Sequence, residues 1–420
     1  MKRYWKLISL SLFTIVVWAG FFIQSIPASG NQPEFVIKNQ DDQKELGNHL
    51  VVSGDYSGNG NISEFLTISE EGSDYFSDRS YLSQQEMLYA NPGAEQLIKD
   101  YRNFMRGKGY DLKSFYQDDT TLAYVDIDFD ISFRGYESFN PSFQIDLLDK
   151  ETKDRTTFEL KLPKNSNFDY GDILFVQLKE NELQVVASLS SFDHEKGIDR
   201  EEYHLFAIDV DQQKLINDEL ILENEENTTE SQSEWPSIDV ISAEMGEKDQ
   251  KYIVFVKSVQ EAESLPNGEE KVIMKDSQFI SYNLDSKEQS KLDLSEELQP
   301  EDYDELFHVE GNTLYFSKVE NNELNISSYD ISKQIISSEQ TFSTPEGDTE
   351  ESTYYDIEYG YLIIADRYIT NDSEASIIIY DLKSAEKVYD GEISADDKMK
   401  ADKGELAIHN IDFSVGLNEY

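Results

Sequence analysis

Residues 377–387 read IIIYDLKSAEK: an apolar strand ending in Asp381, one further apolar residue, Leu382, then a short polar turn. An aspartate side chain can bond nearby backbone and open a turn, so this residue type punctuates strands. The same form recurs in FQIDLLDKETK (143–153), LFAIDVDQQK (205–214), FISYNLDSKEQ (279–289) and ISSYDISKQ (326–334). With Asp146, Asp209, Asn283, Asp330 and Asp381 as markers, the intervals are 63, 74, 47 and 51 residues. Intervals near fifty suit a repeated unit of four short strands, and the longer ones need insertions. Further strand-like runs precede the markers at 171–178, 183–190, 251–259, 312–319 and 359–369. They are β-branched and aromatic, and are bounded by Asn, Gly, Asp and Glu. The apolar residue after each marker is expected to keep a sheet edge covered.

This layout resembles the β-propeller superfamily, especially its degenerate bacterial blades with a "YDL" or "IDV" strand end, over about residues 120–395. It lacks WD dipeptides, kelch glycine pairs, sialidase Asp-boxes and tryptophan docking repeats. The resemblance implies an all-β fold of about six blades, with seven possible. Five come from the markers. The sixth would join HLVVSGDY (49–56) and EFLTIS (64–69) to ELAIHNIDFSV (405–415), because pairing terminal strands removes an open edge. Two packed β-sandwich domains are the alternative reading of the same composition. Residues 31–420 are read as one extracytoplasmic domain with a helical insertion at about 83–108 and an acidic loop, ENEENTTESQSEWPS, at 223–237. Within the insertion, Asn91 and Pro92 open a helix, Gly107 or Gly109 ends it, and Leu97, Ile98, Tyr101, Phe104 and Met105 form one apolar face.

The address is at the N-terminus. Lys2, Arg3 and Lys6 precede an uncharged run, Leu7–Ile23, followed by Pro27, Ala28, Ser29 and Gly30. That is the pattern of an export signal, and residues 1–30 are read as a signal peptide or a retained membrane anchor. The basic flank places the remainder outside the cytoplasm, at the cell membrane or secreted. The whole chain carries 85 acidic and 36 Lys plus Arg residues, for a net charge of −49. Without residues 1–30 the balance is 33 basic against 85 acidic, or −52. This charge argues against nucleic acid, whose phosphates need clustered Lys and Arg. With no cysteine, a disulfide scaffold, a thiolate metal site and a cysteine nucleophile are all excluded. An exported chain without cysteine fits a Gram-positive bacterium.

One local motif suggests a cation. GDYSGNGNISEFL (54–66) resembles the calcium loop of FG-GAP and related propeller repeats and the first nine positions of an EF-hand loop. The resemblance implies Asp55, Ser57, Asn59, Asn61 (through its carbonyl) and Ser63 as ligands of Ca2+. Asn59 and Ser63 stand where the family has Asp, and Leu66 where it has an acid, so an intact site would bind weakly. The bland reading is a Gly/Asn hairpin loop. In YVDIDFDISF (124–133), Asp126, Asp128 and Asp130 share one strand face, which is expected to be the wet face. Lys99, Arg102, Arg106, Lys108 and Lys113 stand out in an acidic chain and are expected to pair internally. The five histidines, His49, His194, His204, His308 and His409, show no metal-ligand spacing; His204 and His409 are expected to be packed and hydrogen-bonded.

No GxSxG, Walker loop or GxGxxG is present. The reading is therefore a non-catalytic module at the bacterial cell surface that binds another surface or membrane protein with a basic patch, joined to the membrane through residues 7–23 if these are uncleaved. A secreted enzyme acting on wall or other polysaccharide is the alternative.

Overall fold

The computed structural model describes residues 32–39, 44–58, 63–79, 92–129, 141–163, 168–193, 197–227, 234–241, 245, 250–264, 270–295, 298, 307–320, 323–344, 352–370, 373–396 and 404–413. Residues 1–30, the expected signal or anchor, lie outside them. Among the described residues no helix is long and apolar enough to cross a membrane.

The fold is all-β, and the described residues form six antiparallel sheets of four or five strands, as the propeller reading requires. It divides into two compact units, one of residues up to Arg102 together with Thr344 onward, the other of Asn103–Ser343. In the first unit, one sheet runs β1 (Phe35–Asn39), β25 (Glu386–Ala395), β24 (Ala375–Asp381), β22 (Tyr361–Asp366), β21 (Thr353–Glu358). The other runs β23 (Tyr368–Ile369), β26 (Glu405–Phe413), β2 (Leu50–Ser57), β3 (Ser63–Ser69), β4 (Gly72–Tyr75). The expected union of chain ends is the β2–β26 ladder, from Leu50↔Phe413 to Ser57↔Glu405. A second union was not foreseen: β1 adds to the outer edge of β25, Phe35↔Ala395 to Asn39↔Gly391. Phe35, Val52, Leu66, Ile377, Ile379, Ile393, Leu406 and Ile408 form the core of this unit.

The second unit holds four four-stranded meanders. They are β5 (Phe115–Gln117) to β8 (Arg155–Lys161) with β6 (Thr121–Asp128) and β7 (Ser142–Asp149) between, and β9 (Tyr170–Lys179), β10 (Glu182–Asp193), β11 (Ile198–Asp209), β12 (Lys214–Asn227). Next come β13 (Glu234–Ile241), β14 (Tyr252–Ser264), β15 (Glu270–Asn283), β16 (Gln289–Lys291), and β17 (Phe307–Glu310), β18 (Thr313–Glu320), β19 (Glu323–Asp330), β20 (Ile335–Ser343). Successive sheets share apolar layers: Val125, Phe143, Val185 and Phe206, then Phe175, Val186, Tyr203, Leu205 and Phe255, then Val256, Phe279, Leu314 and Phe316. An inner sheet buried on both faces explains continuous apolar runs such as Val185–Val186–Ala187. Sequential meanders also distinguish this fold from β-sandwiches, whose strands pass between sheets by Greek-key crossings.

The recurring turn has one geometry. Asp209 accepts from Gln212 N at 2.8 Å, Asn283 from Asp285 N and Ser286 N at 2.9 and 2.8 Å, Asp330 from Lys333 N at 3.0 Å and Asp381 from Ser384 N at 2.6 Å. Four residues after each marker the backbone is left-handed, at Gln213, Lys287, Gln334 and Ala385. In the first repeat the sequence reading picked the wrong acid. Asp149 is the turn residue, accepting from Glu151 N and Thr152 N at 2.9 and 2.7 Å with left-handed Lys153 four residues on, while Asp146 lies within β7. The apolar residue after the marker does not cover an edge. Leu284, Ile331 and Leu382 are buried, and their N–H groups reach back to Lys251, Asn312 and Gly360.

The described part of the helical insertion is two short helices, α2 (Pro92–Asp100) and α3 (Arg102–Met105), after a single turn α1 (Lys44–Gly47). Residues 83–91 lie outside the described residues. Leu97, Ile98, Phe104 and Met105 are buried as expected, and the segment ends at left-handed Gly107. The acidic loop is shorter than expected. Residues 223–227 continue β12 and 234–237 begin β13, so only 228–233 are left, outside the described residues. A polar outer strand, packed on one side only, has little apolar pattern to betray it.

Candidate functional site

Asp55 and Ser57 lie on β2 and Ser63 opens β3, with Ser57 and Ser63 directly paired and their hydroxyls 3.3 Å apart. Asn59 and Asn61 lie outside the described residues. The glycine that opens the motif has a packing reason: a Cβ on Gly54 would meet the Ala407 carbonyl oxygen at 2.4 Å. His409 is the bulged residue of β26, between the Ser53↔Asn410 and Gly54↔Ile408 pairs, and its Nε2 lies 2.9 Å from the Asp55 carboxylate. A cation at this loop would compete with His409 for its one charged ligand. Asp126 and Asp128 occupy the exposed face of β6, as expected, and Asp130 lies outside the described residues.

Of the basic stretch, Lys108 pairs internally. Lys108 is buried against the rings of Phe104 and Tyr124, its Nζ 4.3 and 5.0 Å from their centroids, and it bonds Asp146. Asp146 also takes a fork from Arg155, Nε at 3.0 Å and Nη2 at 2.6 Å, and a bond from Thr157. Burial opposes ionisation of Asp146, but Arg155, Lys108 and Thr157 outweigh it and hold its carboxyl below the ordinary range. His204 is packed as expected, stacked on Phe206 at 5.4 Å. Its Nδ1 is 2.7 Å from Asp218 and its Nε2 3.0 Å from Glu202. Burial alone would lower its pKa; the two carboxylates prevail and raise it.

A further cluster escaped the sequence reading. On the face of the β9–β12 sheet that carries Tyr203, strand register brings together Tyr170, Ser190 and Glu201 in one row and Asp172, Ser188 and Tyr203 in the next. Phe192 pairs with Asp199 in the row beyond. The lower part of this face is sealed by Tyr203, whose hydroxyl donates to the Ile238 carbonyl at 2.9 Å and whose ring meets Phe255 edge-on at 5.6 Å. The upper part is open: Tyr170 is 58 % and Phe192 38 % exposed. Tyr170 donates to Asp172 at 2.7 Å, and the Asp169 carboxylate accepts from Phe192 N at 2.9 Å. Gly171 lets β9 lie close here, since a Cβ would meet Leu189 and the Ser188 carbonyl at 2.7 Å.

Glu201 is half-buried in this cluster. Burial pushes its carboxyl above the ordinary range, the nearby Tyr203 hydroxyl opposes this, and the charges of Asp199, Asp172 and Asp239 push it further. Asp172, Asp199 and Glu201 make no ion pair among the described residues. The described residues also contain no group of three or more His, Asp and Glu side chains close enough to hold a metal ion. The exposed rings of Tyr170 and Phe192 beside Asp172, Asp199 and Glu201 suit a large, diffuse cation, which can lie on aromatic faces and between spread carboxylates. Alternation in IDREEY (198–203) would have aligned Asp199, Glu201 and Tyr203; only the strand register adds Tyr170, Asp172 and Phe192.

No protein-family model matches the chain, and no curated protein matches it either. The structural neighbours are β-propeller proteins. They include a 6-phosphogluconolactonase-like protein of Bacteroides fragilis (10 % identity, 88 % of this chain and 99 % of that one, TM-score 0.29) and the Dos1 propeller (9 %, 64 % and 54 %, TM-score 0.26). A prolyl endopeptidase is similar at 11 % identity and TM-score 0.30, over 88 % of this chain and 52 % of that one. At such scores the fold rests on the strand pairing described above, and no activity carries over.

Proposed function

We propose that this chain is a non-catalytic extracytoplasmic module that binds a basic partner protein at the bacterial cell surface. Export and any attachment to the membrane are ascribed to residues 1–30. The observation that carries the reading is the open carboxylate–aromatic face of Tyr170, Asp172, Phe192, Asp199 and Glu201. Lysine or arginine side chains would neutralise its charges and lie on its rings, and the surrounding field of −49 would speed their approach. Titration of the full-length chain with a Lys/Arg-rich peptide tests this. Binding is expected to fall steeply between about 0.05 and 0.5 M salt, because exposed charges are screened over that range. It is also expected to weaken in Tyr170→Ala/Glu201→Gln. Equal binding of an acidic peptide would refute the reading.

A hydrolase acting on polysaccharide is the second reading, favoured by one observation: the raised carboxyl of Glu201, a property of general acids. It requires turnover of a wall polymer that is lost in Glu201→Gln. Inactivity of the unmodified chain across such polymers would dispose of it.

A further inference from the structure

The outer edge of a sheet in this fold accepts a fifth strand. β1 does this on β25, pairing five residues in the antiparallel sense, and Ile393 and Tyr389 of the covered strand are fully buried. The bulge at Val388, two residues into β25, does not prevent it. β12 is the corresponding outer strand of its own sheet, paired only with β11, and it also has a bulge two residues in, at Ile216. Its edge has no fifth strand among the described residues. It exposes Ile216 by 56 % and Leu220 by 46 %, whereas the outer strands β8 and β16 expose no large apolar side chain. β20 exposes Ile335 and Ile336 but carries a single acid, Glu339. β12 carries five acids, Asp218, Glu219, Glu223, Glu225 and Glu226, against Lys214.

We propose that the β12 edge docks an extended basic segment of a partner protein, which adds as a fifth strand along Asn217–Leu220. Backbone hydrogen bonds would supply the affinity, and alternating aliphatic and basic side chains the selectivity. The run stops at Leu220, because a second bulge follows at Ile221 and the Ile221 carbonyl already accepts from Gln289. A second copy of this chain does not fit, because its β12 would set Asp218 and Glu219 against like charges.

The test uses the full-length chain in the Tyr170→Ala/Glu201→Gln background, so that the carboxylate–aromatic face and the β12 edge are read separately. The probes are a ten-residue peptide of alternating Lys and Val, its Glu/Val counterpart, and the Lys/Val peptide with two alternate residues changed to Pro. The Lys/Val peptide is expected to bind, to slow amide exchange at Asn217–Leu220, and to weaken by about tenfold or more in Ile216→Ser/Leu220→Ser, as for loss of anchor side chains. The same double change at Ile335 and Ile336 is the control and should leave binding intact. Equal binding of the proline peptide, no binding of the Lys/Val peptide, or exchange protection elsewhere than β12 would each overturn the proposal.

Discussion

Four residues past each turn Asp or Asn the backbone is left-handed, and none of those positions is glycine: Lys153, Gln213, Lys287, Gln334 and Ala385. An L-residue there costs roughly 1 kcal/mol that glycine avoids. Ala385→Gly is therefore expected to raise stability by up to about 1 kcal/mol, and Asp381→Ala to lower it by about 1 kcal/mol through the lost bond to Ser384 N, both read from denaturant midpoints. His204 gives the pH dependence. Its pKa is raised in the fold, so its contribution is complete below the unfolded value of about 6.5 and is lost as pH rises through the folded value. The gap in melting temperature between the protein and His204→Gln should be wider at pH 5.5 than at pH 9. An unchanged gap would show that Glu202 and Asp218 do not favour the charged ring. At this scale the sequence was legible wherever a side chain acts on its own backbone, as the turn acids do. It was ambiguous in FQIDLLDKETK, where Asp146 and Asp149 fit one pattern and only the partner strands choose between them.

Among the elements, β7 carries a carboxylate, Asp146, that accepts from Lys108, Arg155 and Thr157. Removing Asp146 would leave Lys108 buried between two rings with no counter-charge, a loss of about 3–5 kcal/mol. Lys108→Met keeps the apolar volume and leaves Asp146 its fork from Arg155, so it should cost much less. Equal losses for Asp146→Ala and Lys108→Met would mean that the Lys108 charge contributes nothing specific. The long apolar strands and the β2–β26 union could be read from composition, because one-sided or two-sided burial leaves a periodic trace. β1 could not: FVIKN is five residues long and becomes a strand only because β25 is there to pair with it. Nor could the carboxylate–aromatic face, whose parts lie on three strands and meet through register alone.

For the molecule as a whole, a net charge of −49 means that compaction works against self-repulsion. Added salt screens that repulsion, so the melting temperature should rise between low ionic strength and about 0.5 M NaCl, while binding of a basic peptide weakens over the same range. A melting temperature that falls with salt would show that attractive pairs such as Arg79–Glu95 outweigh the net charge. Six sheets were legible because the turn repeats and the two chain ends could be counted. The division into two units was not, because the basic stretch around Arg102 and the polar run TPEGDTEES (344–352) after Ser343 look like any other insertion between strands. That division has a consequence in time. The unit of residues 103–343 is contiguous and can settle as soon as it is made, whereas β2 waits for β26, roughly 350 residues later. At synthesis rates of about 5–20 residues per second the delay is on the order of 20–70 s, during which Leu50–Ser57 is an apolar strand with an open side. A newborn chain of this protein is therefore exposed to misassembly at β2 until β26 arrives to close the sheet.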